Sequence, residues 1–353
     1  MKNGIIRVGL IGAGANTRLR HIPGFREQRD VDIVAVANRS RESGERIAAE
    51  YEIPRVYDNW VELLNDDSID AVCIGTWPYM HRNLVLASLD AGKHVLTEAR
   101  MAMNAEEAHE MLDASRLRPD LVTQIVPAPQ TLEVDNTVIE HVSNGYLGDI
   151  LAVRLRVCDY HARANRSDTF VDFDAPLHWR QDRTLSGYNI LGMGIWYETI
   201  MRYVGPATKV SAMTRTFANR RSDENGVTRA VTVPDHVNVI AEMGCGAAAD
   251  FSWSAVTGLQ MGTDFWIFGA DGTISLQGPP FNRALGGKRG DEALSELPIV
   301  NRGKWRVEEE FVNAIRGEEA VTHTPFDVGV QYMEFTEAVT RSAQTGQSVA
   351  LPL

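Results

Sequence analysis

At 353 residues the chain is long enough for two hydrophobic cores. Its 44% apolar and 23% charged content is that of a globular protein, and no stretch approaches the roughly 18 uncharged apolar residues of a membrane span. The net charge of −12 speaks against nucleic acid and anionic membranes as partners, because both demand a basic surface.

The first predicted element is an apolar, β-rich run from Ile5 that breaks at Gly12-Ala-Gly14 and passes into helix-forming sequence. A short strand, a turn without side chains and a helix start at Ala15 and Asn16 make a setting in which backbone N–H groups and the helix dipole hold a pyrophosphate. Gly12 suits the tight turn and Gly14 the close approach of phosphates, while Thr17 stands where the fingerprint has its third glycine. The chain runs directly into this strand, so a cytoplasmic protein without a leader is expected.

A second buried strand, residues 31–37, ends at Asn38-Arg39-Ser40, where residues of such a fold touch the adenosine ribose. An acid at that point binds the 2′-hydroxyl of NAD and repels a 2′-phosphate. Here Asn38 is neutral, Arg39 can stack on adenine or pair with phosphate, and Ser40 can donate a hydrogen bond. NADP is therefore the expected cofactor, with NAD as the alternative.

Strand and helix then alternate as a doubly wound sheet requires: helix 41–51, strand 70–75, helix 81–91, strand 94–97, helix 105–117 and strand 121–126. Pro127 and Pro129 punctuate the chain, and a helix over 133–144 leads to Gly145-Tyr-Leu-Gly148. Beyond it the period changes, and runs 150–157, 237–243, 247–253, 265–268 and 273–276 read as strands of an antiparallel sheet. Phe268-Gly-Ala-Asp-Gly-Thr273 is a hairpin signal. Residues 218–232 and 279–296 read as loops. Cys73, Cys158 and Cys245 read as reduced core residues, and no Cys or His pair has metal-ligand spacing. The fold class is α/β: an N-terminal Rossmann domain with a doubly wound parallel sheet over 1–126, then an α/β domain with a large open, mainly antiparallel sheet over 127–353. Ligand is expected between them, at the carboxyl ends of the parallel strands.

Several short motifs occur together: Gly12-Ala-Gly14 with His21, Thr76-Trp77-Pro78-Tyr79-Met80-His81, Ala91-Gly-Lys-His-Val-Leu-Thr-Glu98, Gly145-Tyr-Leu-Gly148, Trp179-Arg180, the hairpin signal and Ser342-Ala-Gln-Thr-Gly346. With them the chain resembles, along nearly its whole length, the glucose–fructose oxidoreductase, inositol dehydrogenase and rhizopine-catabolism (Gfo/Idh/MocA) family of NAD(P)-dependent sugar and cyclitol enzymes. The resemblance implies that Thr76, Trp77 and His81 line the cofactor channel, that Glu98 approaches the nicotinamide ribose and that Arg180 lies near the ligand. It also implies a homodimer or homotetramer formed through the open sheet, which would cover its exposed face.

The chemistry departs from the family pattern. The catalytic motif would read Glu-Lys-Pro at 98–100, whereas this chain has Glu98-Ala99-Arg100. A hydride leaves a carbinol carbon only as the hydroxyl proton departs, and an ammonium beside the cofactor polarises that oxygen. Ala99 cannot do so. The family's aspartate and, four residues on, histidine fall on Gly192 and Trp196. His178, Tyr188 and Tyr160 are the candidate proton carriers in their place. Arg180, Trp196 and Asn189 are the candidate substrate contacts: a fixed fork of donors suits sugar hydroxyls, and an indole offers a stacking face. The competing reading of Trp196 is that it fills a core left empty by Gly192. Three functions follow: hydride transfer at a secondary alcohol of a sugar, cyclitol or glycoside; a redox-neutral glycoside lyase or hydrolase with tightly held NAD(P); and a non-catalytic NAD(P) or sugar sensor.

Overall fold

The computed structural model describes residues 4–158, 170–259, 263–278 and 281–353, so Tyr160 lies outside the described residues. Strands β1 (Ile6–Ile11), β2 (Val31–Ala37), β3 (Arg55–Tyr57), β4 (Ala71–Ile74), β5 (His94–Thr97) and β6 (Thr123–Ile125) alternate with helices α1 (Ile22–Arg26), α2 (Arg41–Glu50), α3 (Trp60–Leu64), α4 (Pro78–Asp90) and α5 (Ala105–Leu117). Next come α6 (Leu132–Ser143), β7 (Ile150–Cys158), α7 (Arg183–Ser186), α8 (Met193–Val204), β8 (Ala207–Arg215), β9 (Arg220–Ser222), β10 (Thr228–Ala230) and β11 (His236–Met243). The chain finishes with β12 (Ala248–Ser254), β13 (Thr263–Gly269), β14 (Gly272–Gly278), β15 (Leu285–Lys288), β16 (Ser295–Glu296), α9 (Val307–Arg316), α10 (Phe326–Thr345) and β17 (Val349–Ala350). Two compact units result, Met1–Pro127 with Arg306–Val330, and Ala128–Trp305 with Gln331–Leu353.

The first unit holds a six-stranded sheet in the order β3-β2-β1-β4-β5-β6, with every described pairing parallel. The order reverses between β1 and β4, which makes their carboxyl ends the topological switch point. Both strands are nearly continuous apolar runs, as burial on two faces requires. Ser40, Asn59 and Asn104 start α2, α3 and α5 by accepting the N–H three residues on, and Pro78 opens α4 at a position that needs no donor. Helix α9 belongs to this unit as well. Its Phe311 meets Phe25 edge-on at 6.3 Å, and its Glu310 accepts from Gln124 at 2.7 Å.

The second unit is built on a nine-stranded sheet in the order β16-β15-β14-β13-β7-β12-β11-β8-β17. Only the β7–β12 pair is parallel among the described residues. Burial alternates along β11, the mark of a sheet with one packed face. The inner face carries Phe251 and Trp253 against Phe335 of α10, on which Tyr197 of α8 stacks at 3.6 Å. The outer face exposes Met213, Ile240, Arg154, Arg156 and Asp250. Two sequence motifs meet here. The Ala270 and Asp271 N–H groups of the β13–β14 turn donate to Asp149 and Leu147, and a Cβ on Gly148 would lie 2.7 Å from the Asp271 carboxylate.

Three expectations need correction. Residues 218–232 are not a loop throughout, because β9 and β10 form a hairpin whose turn is held by Asp223 accepting the Asn225 and Val227 N–H groups. Within 279–296, β15 pairs with β14 and β16 with β15. Cys73 and Cys158 are buried, but Cys245 is exposed, because the tight link between β11 and β12 turns it outward.

Candidate functional site

In the first unit three loops converge at the switch point. Gly12 has φ +84°, its N–H donates to the Ala37 carbonyl at 2.9 Å, and the Gly75 N–H donates to Ile11 at 2.8 Å. The fit is close enough to exclude side chains. A Cβ on Gly12 would lie 2.7 Å from Thr76 Cγ2, and a Cβ on Gly75 would collide with the Gly12 carbonyl and Thr17 Oγ1. A helical turn begins at Ala15, widens through a π-helical stretch at Thr17–His21 and continues as α1. The Arg18 N–H, donating to Gly14 at 3.1 Å, makes the first bond of the turn, so the N–H groups of Gly14 to Thr17 have no intrahelical acceptor. Gly14 and Ala15 are exposed. This cradle fits a dinucleotide pyrophosphate: side chains are kept out, donors are unspent and the dipole is favourable. The Thr76 hydroxyl, buried beside the turn, has no hydrogen-bond partner among the described residues.

The ribose-side residues divide sharply. Asn38 is committed to the scaffold: its Oδ1 accepts the Ala13 N–H at 2.8 Å, and its Nδ2 donates to Ser43 Oγ at 3.0 Å. Ser40 caps α2, and Arg41 pairs with Asp58 and Glu45. Arg39 is exposed, and no described carboxylate pairs with it. Trp77 is 37% exposed at the start of α4, with the Tyr79 ring 6.5 Å away. His81 is wholly buried; one ring nitrogen faces the Thr76 carbonyl at 3.0 Å and the other the Arg100 carbonyl at 2.9 Å. It therefore ties the loop after β4 to the loop after β5. Burial pushes its pKa down, while these carbonyls and Glu98 act against that shift.

Glu98 follows β5, and its Oε1 receives Asn16 Nδ2 at 2.5 Å and His21 Nε2 at 3.0 Å. The other nitrogen of His21 lies 2.5 Å from Glu308 Oε1 on α9. Burial alone would lower the His21 pKa, but Glu308 and Glu98 outweigh it and raise it to about 9. For Glu98 burial acts upward, and the contacts with His21 overcome it to leave the carboxyl below its ordinary range. A carboxylate and an imidazolium thus stand behind the glycine turn. Motif reading missed Glu308 and Gly75. The first lies 287 positions from its partner, and the second acquires its role only because β4 lies beside β1.

In the second unit, His178 opens a short helical turn, and its Nδ1 accepts the Arg180 N–H at 3.3 Å. Burial, aided by Arg180, lowers its pKa, so the ring is neutral at pH 7. The Arg180 guanidinium lies 4.1 Å over the Trp179 ring, and that of Arg183 lies 5.5 Å over Tyr188. Tyr188 stands in the turn between α7 and α8, and Gly192 is the residue that caps α8. Asn189 is fully buried and donates to the Ser186 carbonyl at 2.6 Å. Trp196 is also buried, edge-on to Phe281 at 5.2 Å, and the space a Gly192 Cβ would take is an ordinary 3.5 Å from its ring. Tyr197 receives the Ala207 N–H, and Glu198 the Ala128 N–H and Arg202, so both serve the packing of α8.

Two family patterns match the chain, one described as an oxidoreductase family with an NAD-binding Rossmann fold over residues 6–124, the other as the GFO/IDH/MocA C-terminal domain over residues 136–275. Trans-1,2-dihydrobenzene-1,2-diol dehydrogenase of Bos taurus is 31% identical over 235 residues, a match that spans 65% of this chain and 62% of that enzyme. 1,5-Anhydro-D-fructose reductase of Ensifer adhaerens is 28% identical over 98% of both chains. Levoglucosan dehydrogenase, solved in complex with NADH and L-sorbose, shares the fold with a TM-score of 0.82 over 98% of this chain and 99% of that chain, at 22% identity. The dinucleotide fold and the sheet that follows it are each matched in their proper order, and the protein belongs to the Gfo/Idh/MocA family of oxidoreductases.

Proposed function

We propose that the protein is an NADP-dependent oxidoreductase that transfers hydride at a secondary alcohol carbon of a cyclic polyol, a sugar or cyclitol. The observation that carries this reading is the turn of Gly12, Gly14 and Gly75, with unspent N–H groups above and an ionised Glu98 beside it. When bound, the nicotinamide ring supplies the hydride acceptor or donor. The chain's own part is to hold the pyrophosphate on residues 14–17, to take a ribose hydroxyl on Glu98 and to place Thr76 and Trp77 along the dinucleotide. NADP is preferred on the strength of Arg39, the exposed cation where an acid would select NAD. The two curated relatives support the substrate class: their names denote dehydrogenation of a cyclic vicinal diol and reduction of an anhydro-ketose.

We assign Arg180 to the substrate hydroxyls. Trp196 and Asn189 shape the segment that carries Tyr188 from within. Proton handling, in the absence of a lysine at position 99, falls to His178, Tyr188 and Tyr160. His178 accepts at Nδ1, so its neutral ring carries the proton on Nε2 and would donate it to a carbonyl oxygen in the reductive direction; in alcohol oxidation the hydroxyl proton passes to another acceptor or to water. Self-association is assigned to the exposed outer face of the nine-stranded sheet.

The test is equilibrium binding of NADPH and NADH, followed by nicotinamide absorbance with a panel of cyclic polyols. The expected result is tighter NADPH binding, loss of that preference by about tenfold or more in Arg39→Ala, and reduction of NADP by at least one polyol. Failure to bind either dinucleotide would remove the reading. Binding without net turnover, but with solvent deuterium entering the substrate, would replace it with the redox-neutral reaction.

A further inference from the structure

The His21 imidazole touches a carboxylate oxygen through each of its two ring nitrogens, 2.5 Å to Glu308 and 3.0 Å to Glu98. A neutral imidazole has one N–H and one lone pair, so one of these contacts would set a lone pair against a carboxylate. The geometry calls for an imidazolium. The sequence makes room for it at a cost, because Gly24 sits inside α1, where a Cβ would lie 2.5 Å from Glu308 Oε2. His21 and Glu308 are both buried, and such ion groups add little net stability over an apolar replacement of the same volume. Their placement has a local consequence instead. Asn16 and His21 both bond the same oxygen of Glu98, Oε1, and no described residue bonds Oε2 of this 15% exposed side chain.

We infer that His21 and Glu308 are positioning residues for Glu98, which keep its carboxylate ionised and turned so that Oε2 is the oxygen offered to a ribose hydroxyl of the dinucleotide. The inference rests on the nucleotide reading proposed above and adds a device to it: a residue of α9, far along the chain, sets the charge at the cofactor turn through one buried ring. Other titratable groups in the field of this cluster include His81 of α4, whose pKa burial lowers, and Cys73 of β4, whose thiol burial pushes well up. The charge on His21 is the one that changes in the alkaline range, and with it the support for Glu98.

The experiment compares wild type, Glu308→Gln and His21→Gln, with Arg39→Ala as a control that weakens binding through a different contact. Histidine ring titrations are followed by NMR in protein free of dinucleotide, and NADPH dissociation constants are measured by fluorescence across roughly pH 6 to 10, a span that brackets both the ordinary and the raised histidine pKa. In wild type, affinity should hold through neutrality and weaken as His21 loses its proton near pH 9. Glu308→Gln should move both the ring titration and this weakening down by about one pH unit or more, whereas Arg39→Ala should weaken binding without moving either. His21→Gln should bind about tenfold more weakly than wild type at neutral pH, with no inflection across the range, so that the two approach each other above pH 9. Stability should follow the same sign. A histidine raised from 6.5 to about 9 stabilises the fold fully below pH 6.5, and that contribution fades as the pH rises through 9. Coincident wild-type and Glu308→Gln profiles would overturn the inference, as would His21→Gln affinity within about twofold of wild type at neutral pH. If both variants fail to fold, a wild-type profile without an alkaline inflection overturns it. Absence of any dinucleotide binding by wild type strikes the nucleotide reading itself, a result separate from binding that ignores His21.

Discussion

At the scale of single residues, position 99 sets the chemical question. The half-buried Ala99 follows the ionised Glu98, at the position where the resemblance drawn from the sequence implies an ammonium to polarise the reacting oxygen. Ala99→Lys should therefore raise polyol oxidation by about a hundredfold or more, read as the initial rate of NADPH formation. An unchanged rate would show that the remaining donors already carry the proton along a path that a lysine at this position does not enter. The string Glu98-Ala99-Arg100 was legible in the sequence, because it is contiguous. Other residue roles were not. Asn38 stands where ribose contacts are expected, yet it is spent on Ala13 and Ser43. Trp196 reads equally as a stacking face or as core, and it is buried against Phe281. A side chain's residue type does not say which neighbours will claim its polar atoms.

At the scale of elements, the β1 and β4 turns act as one device. Gly75→Ala would drive a Cβ into the Gly12 carbonyl, a backbone atom that cannot swing aside. We expect a loss of about 1–3 kcal/mol in unfolding free energy together with weaker NADPH binding, measured by denaturant titration and fluorescence. A variant with wild-type stability and affinity would show that the two loops can part. Gly12 was recognisable from its place after an apolar strand, because a tight turn of positive φ is a local demand. Gly75 carried no such mark, since its constraint comes from a strand more than sixty positions earlier. The β9–β10 hairpin escaped notice for a related reason: its polar composition reads as loop, and the pairing depends on Asp223 gathering two N–H groups of the turn.

At the scale of the whole molecule, the outer face of the nine-stranded sheet sets both charge signs beside exposed apolar side chains. Arg154 and Arg156 flank Asp250, and Ile240, 70% exposed, pairs with Asp250 in the neighbouring strand. A self-complementary patch of this kind suits a two-fold contact between copies. Light scattering should give at least a dimer mass, and Ile240→Asp should shift it towards the monomer; a wild-type monomer at micromolar concentration would refute the assignment. By itself the sequence determined the doubly wound sheet, its glycine turn and the change to antiparallel strands, because each is written within a few residues as a period, a positive φ or a motif. Only the tertiary structure decided that Arg306–Val330 returns to the first unit and that Glu308 closes on His21. Contacts across 287 positions depend on how strands and helices pack, and no local pattern in the chain encodes them.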